Sequence, residues 1–84
     1  MKLKVLTPNE LVFEGDVEHV MAPGYEGYLG ILQNHAPLVT PISKGALTYR
    51  DTQGKTSTMQ VEGGFLEVLK DRVLVLTDKI GAVA

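Results

Sequence analysis

Two histidines, two serines and a glycine-rich stretch are the residues of this 84-residue chain whose types could do chemistry. His19 and His35 lie sixteen positions apart and could share a metal ion with Glu26 as third ligand, but the spacing matches no known ligand pattern. The alternation Val17, His19, Met21 instead puts His19 on one face of a strand, with Glu18 and Val20 on the other. Ser43 and Ser57 sit outside any G-x-S-x-G setting and have no histidine close in sequence. Gly24-Tyr25-Glu26-Gly27-Tyr28-Leu29-Gly30 is spaced G-x-x-G-x-x-G, not as a phosphate loop, and no helix start follows it. Glu10, Glu14, Asp16 and Glu18 read as a solvated strand face rather than an acid–base pair.

Two lysines raise a different chemistry. Small all-β carrier domains hold a lipoyl or biotinyl group on a hairpin lysine, and Asp78-Lys79 is similar to their aspartate–lysine pair, with Lys44 a second candidate. Only five residues follow Lys79, too few for the returning strands a carrier hairpin needs. With no cysteine, disulfides, Cys-ligated zinc, iron–sulfur clusters and a thiol nucleophile are excluded. The net charge of −2 lacks the basic footprint of nucleic-acid binding. At 44% apolar and 21% charged residues, the composition is that of one globular domain over residues 1–84, not of a disordered chain. The longest aliphatic run is Val73-Leu74-Val75-Leu76, far short of the roughly 20 residues a membrane helix needs. No apolar leader precedes Pro8, so no secretory signal is expected and any membrane link is expected to run through a partner.

The elements that must position these residues are strands. Glycines and prolines together cut the chain into pieces of at most eight residues up to Gly64, which few helices fit. Phe65 to Ile80 could be one helix, but its β-branched residues and the polar Lys70-Asp71-Arg72 break favour a hairpin. Short strands are expected at Lys2–Val5, Asp16–Met21, Ala46–Arg50, Lys55–Val61, Leu66–Leu69 and Val73–Leu76, with a hairpin loop at Asp51-Thr52-Gln53-Gly54. Regular short strands point to an all-β sandwich or barrel. Residues 23–41, PGYEGYLGILQNHAPLVTP, read as one shaped, partly apolar loop. Gly24 and Gly27 suit tight turns there, and Asn34 tolerates the left-handed region. With no catalytic constellation, the residues describe an interaction module.

Three motifs in order carry a resemblance: Gly24-Tyr25-Glu26-Gly27-Tyr28-Leu29-Gly30-Ile31, His35-Ala36-Pro37-Leu38 and Gly63-Gly64-Phe65-Leu66-Glu67-Val68. Lys4-Val5-Leu6-Thr7-Pro8 precedes them and Val73-Leu74-Val75-Leu76-Thr77-Asp78 closes the match, which covers nearly the whole chain. The chain resembles the epsilon-subunit family of the F-type (rotary) ATP synthases, in its N-terminal β-sandwich domain. The resemblance implies a flattened ten-stranded β-sandwich and a non-catalytic role in the central stalk. It implies contact with the gamma subunit and the c-subunit ring, links to the catalytic head of alpha and beta subunits through the complex, and coupling of proton transport to ATP synthesis and hydrolysis. No cofactor is implied. The implied place is the cytoplasmic face of a bacterial membrane, peripheral, with the plastid thylakoid as second choice.

Residue by residue, the resemblance assigns Glu26, Gly27, Tyr28 and Asn34 to the c ring, and His35 and Thr40 to the gamma subunit. Leu74 joins the gamma set because its strand is apolar on both faces, so that one face is either covered by a partner or buried between two sheets. Gly63 and Gly64 read as permitting a bulge or close sheet packing. Two positions depart from the family pattern: Tyr28 stands where Glu is common, and Gln33-Asn34 where Pro-Gly is common. Family members usually continue into a C-terminal helical hairpin, which a chain ending at Ala84 is expected to lack. A free-standing β carrier or ligand-binding module is the alternative reading, and a small hydrolase with a spatially assembled His–Ser or metal site is the next.

Overall fold

Three strands of fourteen residues organise the chain in a computed structural model that describes residues 1–83, with side chains described through residue 81. The strands are β1 (Lys2–Leu6), β2 (Leu11–Gly24), β3 (Gly27–Leu32), β4 (Leu38–Asp51), β5 (Thr56–Leu69), β6 (Arg72–Leu76) and β7 (Ile80–Val83). Among the described residues there is no helix, so the all-β expectation holds and the Phe65 to Ile80 segment is strands.

Two of the expected short pieces hold, Lys2–Val5 in β1 and Val73–Leu76 in β6, but the others are parts of the long strands β2, β4 and β5. Glycine does not end these strands: β2, β4 and β5 run through Gly15, Gly45 and Gly63-Gly64 without stopping. Fourteen residues at roughly 3.3 Å each would span about 45 Å if straight. The molecule extends only 26 × 24 × 22 Å, so each long strand turns a corner. In β5 the corner is Gly63-Gly64, both at positive φ (77° and 116°). A Cβ on Gly64 would fall 1.8 Å from the carbonyl oxygen of Leu76, so the backbones touch there and only glycine fits, in line with the close packing read from sequence.

Strand order closes on itself. β1 pairs in parallel with β6, then β5, β4 and β2 follow antiparallel, and β2 returns to β1, making a closed five-stranded barrel. β3 pairs with β2, and β7 pairs with β5, as two extra strands outside the ring. Closure gives each of the five ring strands a partner on both sides, while β3 and β7 each pair with one strand only.

The interior is built of valine and leucine: Leu3, Val5, Val17, Val20, Ile31, Leu47, Val61, Leu66, Val73 and Val75 are fully buried. Each contributes roughly 1.5–3 kcal/mol by leaving water. Phe13 and Tyr49 add a tilted ring pair at 4.4 Å. Thr77 is a buried polar residue at the β6–β7 corner. Its hydroxyl accepts from the Glu62 N–H (3.3 Å) and donates to the Lys79 carbonyl (3.4 Å).

β2 corrects a face assignment. Its register against β4 moves from Val17↔Asp51 to His19↔Arg50, two steps against one, a bulge. The extra residue flips the alternation, so Val20 is buried beside Val17 while Met21 is exposed and His19 half-buried. The expected grouping of Val17, His19 and Met21 on one face, with Val20 opposite, therefore fails. The acidic face is solvated as read, and cross-strand cations meet it: Lys2–Asp16 at 3.7 Å, Lys4–Glu14 at 3.8 Å and Arg50–Glu18 at 2.7 Å. Exposed pairs of this kind add little stability each.

Candidate functional site: a hairpin groove and an apolar row

The glycine-rich stretch is a hairpin rather than a loop. β2 and β3 pair up to Gly24↔Gly27, leaving Tyr25-Glu26 as a two-residue tip. β3 then ends at Leu32, and a turn through Gln33-Asn34 follows, with the His35 N–H donating to the Leu32 carbonyl at 3.2 Å. Asn34 takes a φ of 69°, the left-handed conformation read from sequence. The stretch of residues 23–41 is thus mostly strand, and its shape comes from these two turns.

Beside the tip lies a groove lined by Tyr25, Glu26, Gly27, Tyr28 and Leu29 from the hairpin and by Leu38, Thr40 and Pro41 from β4. Glu26, Gly27, Tyr28 and Thr40, assigned from sequence to two different partners, line this one groove. Asn34 and His35 sit at the other end of β3, a six-residue strand or roughly 20 Å away. His35 Nδ1 lies 2.7 Å from the Ala36 carbonyl. Leu74 is elsewhere again, in a groove with Lys2, Lys4, Glu14, Glu67, Leu69 and Arg72.

The residues whose types could do chemistry are scattered. Among the described residues no three His, Cys, Asp or Glu side chains cluster to hold a metal. Ser43 Oγ donates to the Gly24 carbonyl (3.4 Å), a structural bond across β2 and β4. Lys44 lies within β4 opposite Glu62, and Lys79 lies in the β6–β7 connection, so neither is at a hairpin tip.

A second surface was not legible in sequence. Register partners run Pro41↔Phe65, Phe65↔Leu76, Leu6↔Leu76 and Leu6↔Leu11, one outward-facing row crossing five strands. Phe65 is 54%, Leu76 45% and Leu11 50% exposed, so the row is apolar and open to solvent. Thr7, Pro8, Thr77 and Asp78 rim it. Each residue comes from a different strand, so no local periodicity announces the row. The only signal was that Val73-Leu74-Val75-Leu76 is apolar on both faces. Val73 and Val75 fill the core, while Leu74 and Leu76 face outward, so this strand is not sealed between two sheets.

Residues 1–82 match the family described as the beta-sandwich domain of the ATP synthase delta/epsilon chain. The ATP synthase epsilon chain of Moorella thermoacetica is 41% identical over 78 residues, covering 93% of this chain and 58% of that relative. That of Carboxydothermus hydrogenoformans is 46% identical, with the same shares. This chain therefore spans less than two thirds of the length of these relatives. Its fold is similar to a chain in the Euglena gracilis mitochondrial ATP synthase OSCP/F1/c-ring structure (TM-score 0.88, 23% identity, 94% of this chain and 51% of that one). It is also similar to a chain in the Tetrahymena thermophila mitochondrial ATP synthase central stalk/c-ring structure (TM-score 0.81, 15% identity, 96% and 65%). No helix among the described residues is long and apolar enough to cross a membrane. By the match to residues 1–82 and these identities along nearly its full length, the chain belongs to the family of the beta-sandwich domain of the ATP synthase delta/epsilon chain.

Proposed function

We propose that this chain is a non-catalytic domain of the central stalk of a proton-translocating F-type ATP synthase, joining the gamma subunit to the c-subunit ring. It transmits rotation between the proton-driven ring and the catalytic head of alpha and beta subunits and performs no chemistry of its own. It works at the cytoplasmic face of a bacterial membrane, held there by its partners. The observation that carries this reading is the exposed apolar row Pro41, Phe65, Leu76, Leu6 and Leu11, which asks for a protein cover. Leu74 shares the outer face of β6 with Leu76, so one of the three gamma candidates flanks this row, while Thr40, next to Pro41 on β4, pairs with the buried Leu66 on the other face. His35, at the far end of β3, completes the gamma set. The hairpin with Glu26, Gly27 and Tyr28, together with Asn34, is the c-ring contact in this reading.

The domain is also read as a flattened ten-stranded sandwich. Support comes from the corners in β2, β4 and β5: each long strand counts as two once bent, which raises seven strands to ten.

Co-purification tests the function. The chain, tagged at its C-terminus, is recovered from gently solubilised source membranes and the companions are weighed by native mass spectrometry. Gamma, alpha, beta and c subunits with one copy of this chain are expected. Recovery of the chain alone, or with a lipoyl or biotinyl mass on Lys44 or Lys79, would overturn the stalk reading in favour of a carrier.

A further inference from the structure

Pro23 interrupts the sheet beneath the hairpin. It offers no N–H to a ladder. The β2–β4 pairing breaks there, between Met21↔Thr48 and Gly24↔Ile42. β4 bows over the gap, so that a Cβ on Gly45 would stand 2.9 Å from the Pro23 ring and 2.9 Å from the Tyr28 hydroxyl. Tyr28 is the register partner of Pro23 on β3. Its ring is on the outside, at 56% exposure, yet its hydroxyl reaches across the proline and accepts the Ala46 N–H at 3.1 Å. A side chain of β3 thus bonds to a β4 backbone group where the β2–β4 ladder fails.

We propose that Tyr28 is a positioning residue, its hydroxyl latching the β2–β3 hairpin to β4 through Ala46 and thereby fixing how the Tyr25-Glu26 tip and the tyrosine ring are presented to a partner. This rests on the reading of the hairpin as the c-ring contact. Three features act together. Pro23 creates the gap, the absence of a side chain on Gly45 lets the hydroxyl in, and Tyr28 closes it. With its hydroxyl engaged, Tyr28 offers a partner an aromatic face held in one orientation, which lowers the ordering cost of binding. A glutamate at this position would offer a charge on a flexible stem instead.

Amide hydrogen exchange on the 84-residue chain tests the latch. Tyr28→Phe keeps the ring and removes the hydroxyl. Core amides such as those of Leu66 and Val75 should speed up roughly fivefold at most, sensing only the lost bond's effect on overall stability. The Ala46 amide, left without an acceptor, should speed up about tenfold beyond that. An unchanged Ala46 amide, or one that rises only in step with the core, would overturn the latch. Gly45→Ala provides a second handle: alone it should crowd the hydroxyl and expose Ala46, and combined with Tyr28→Phe it should add little to Ala46 exchange. Independent, multiplicative effects of the two substitutions would also count against the latch. Binding to isolated c rings and to gamma is measured separately. Tyr28→Phe should weaken c-ring binding several-fold and leave gamma binding unchanged. A freed Ala46 amide with unaltered c-ring binding would leave the latch standing and overturn the assignment of the hairpin to the ring.

Discussion

Replacing Gly64 by alanine is the sharpest single perturbation the fold offers. The added Cβ would lie 1.8 Å from the Leu76 carbonyl oxygen, 2.8 Å from its carbon and 2.8 Å from Thr77 Cα. All three are backbone atoms, so no rotamer change relieves the contact. Ordinary separation requires β5 and β6 to part by about 1.5 Å, which disturbs the ladder around Phe65↔Leu76. Losing one or two bonds there costs about 1 kcal/mol each. The φ of 116° adds strain of about 1–3 kcal/mol for a residue with a side chain. The expected destabilisation is about 2–5 kcal/mol, a large part of the roughly 4–13 kcal/mol available to a chain of this length. The melting temperature should fall by more than about 8 °C. Gly27→Ala is the matched control. Its φ is 131°, but a Cβ there meets nothing within 4 Å, so only the backbone strain remains, about 1–3 kcal/mol. Urea titration of both variants, with the slope checked for constancy, separates the two effects. Gly64→Ala within about 0.5 kcal/mol of the parent, or no worse than Gly27→Ala, would refute the claim that backbone contact dictates glycine at this corner.

Thr77→Val should cost about 1–3 kcal/mol despite its similar shape, because the Lys79 carbonyl loses its hydroxyl donor and the Glu62 N–H one of its two acceptors; a neutral result in chemical denaturation would contradict this. Phe65→Ser with Leu76→Ser should weaken gamma binding at least tenfold, while the unfolding midpoint moves by no more than a few degrees, since both side chains are about half exposed; a large stability loss with unchanged gamma affinity would assign the row to the fold instead. His35→Ala should weaken gamma binding; calorimetry that finds gamma affinity unchanged would remove His35 from that interface.

Much of the local conformation could be read from residue types. Asp51-Thr52-Gln53-Gly54 turns as expected, with Gly54 at a φ of 86° and the Asp51 carboxylate accepting the Gln53 and Lys55 N–H groups. Asn34 adopts its left-handed position, and the Lys70-Asp71 break joins two strands. The candidate site was only partly legible. Glu26, Gly27 and Tyr28 stand out through the family motif and share a groove, but nothing local places Thr40 beside them. Nor does anything local announce the second use of Tyr28, since the Ala46 N–H lies eighteen residues along the chain.

By itself the sequence determined the all-β class, the positions of the tight turns and the family. The first two follow from backbone preferences that each residue carries locally, since β-branched side chains favour strands and glycine or asparagine accepts positive φ, and the family follows from the resemblance carried by the three ordered motifs. Tertiary structure alone decided that β1 closes the barrel against β6 and β2, that a bulge turns Val20 inward, and that Pro41, Phe65, Leu76, Leu6 and Leu11 form one row. Which side chains stand together in a sheet depends on the register between distant strands, and one inserted residue reverses every face beyond it.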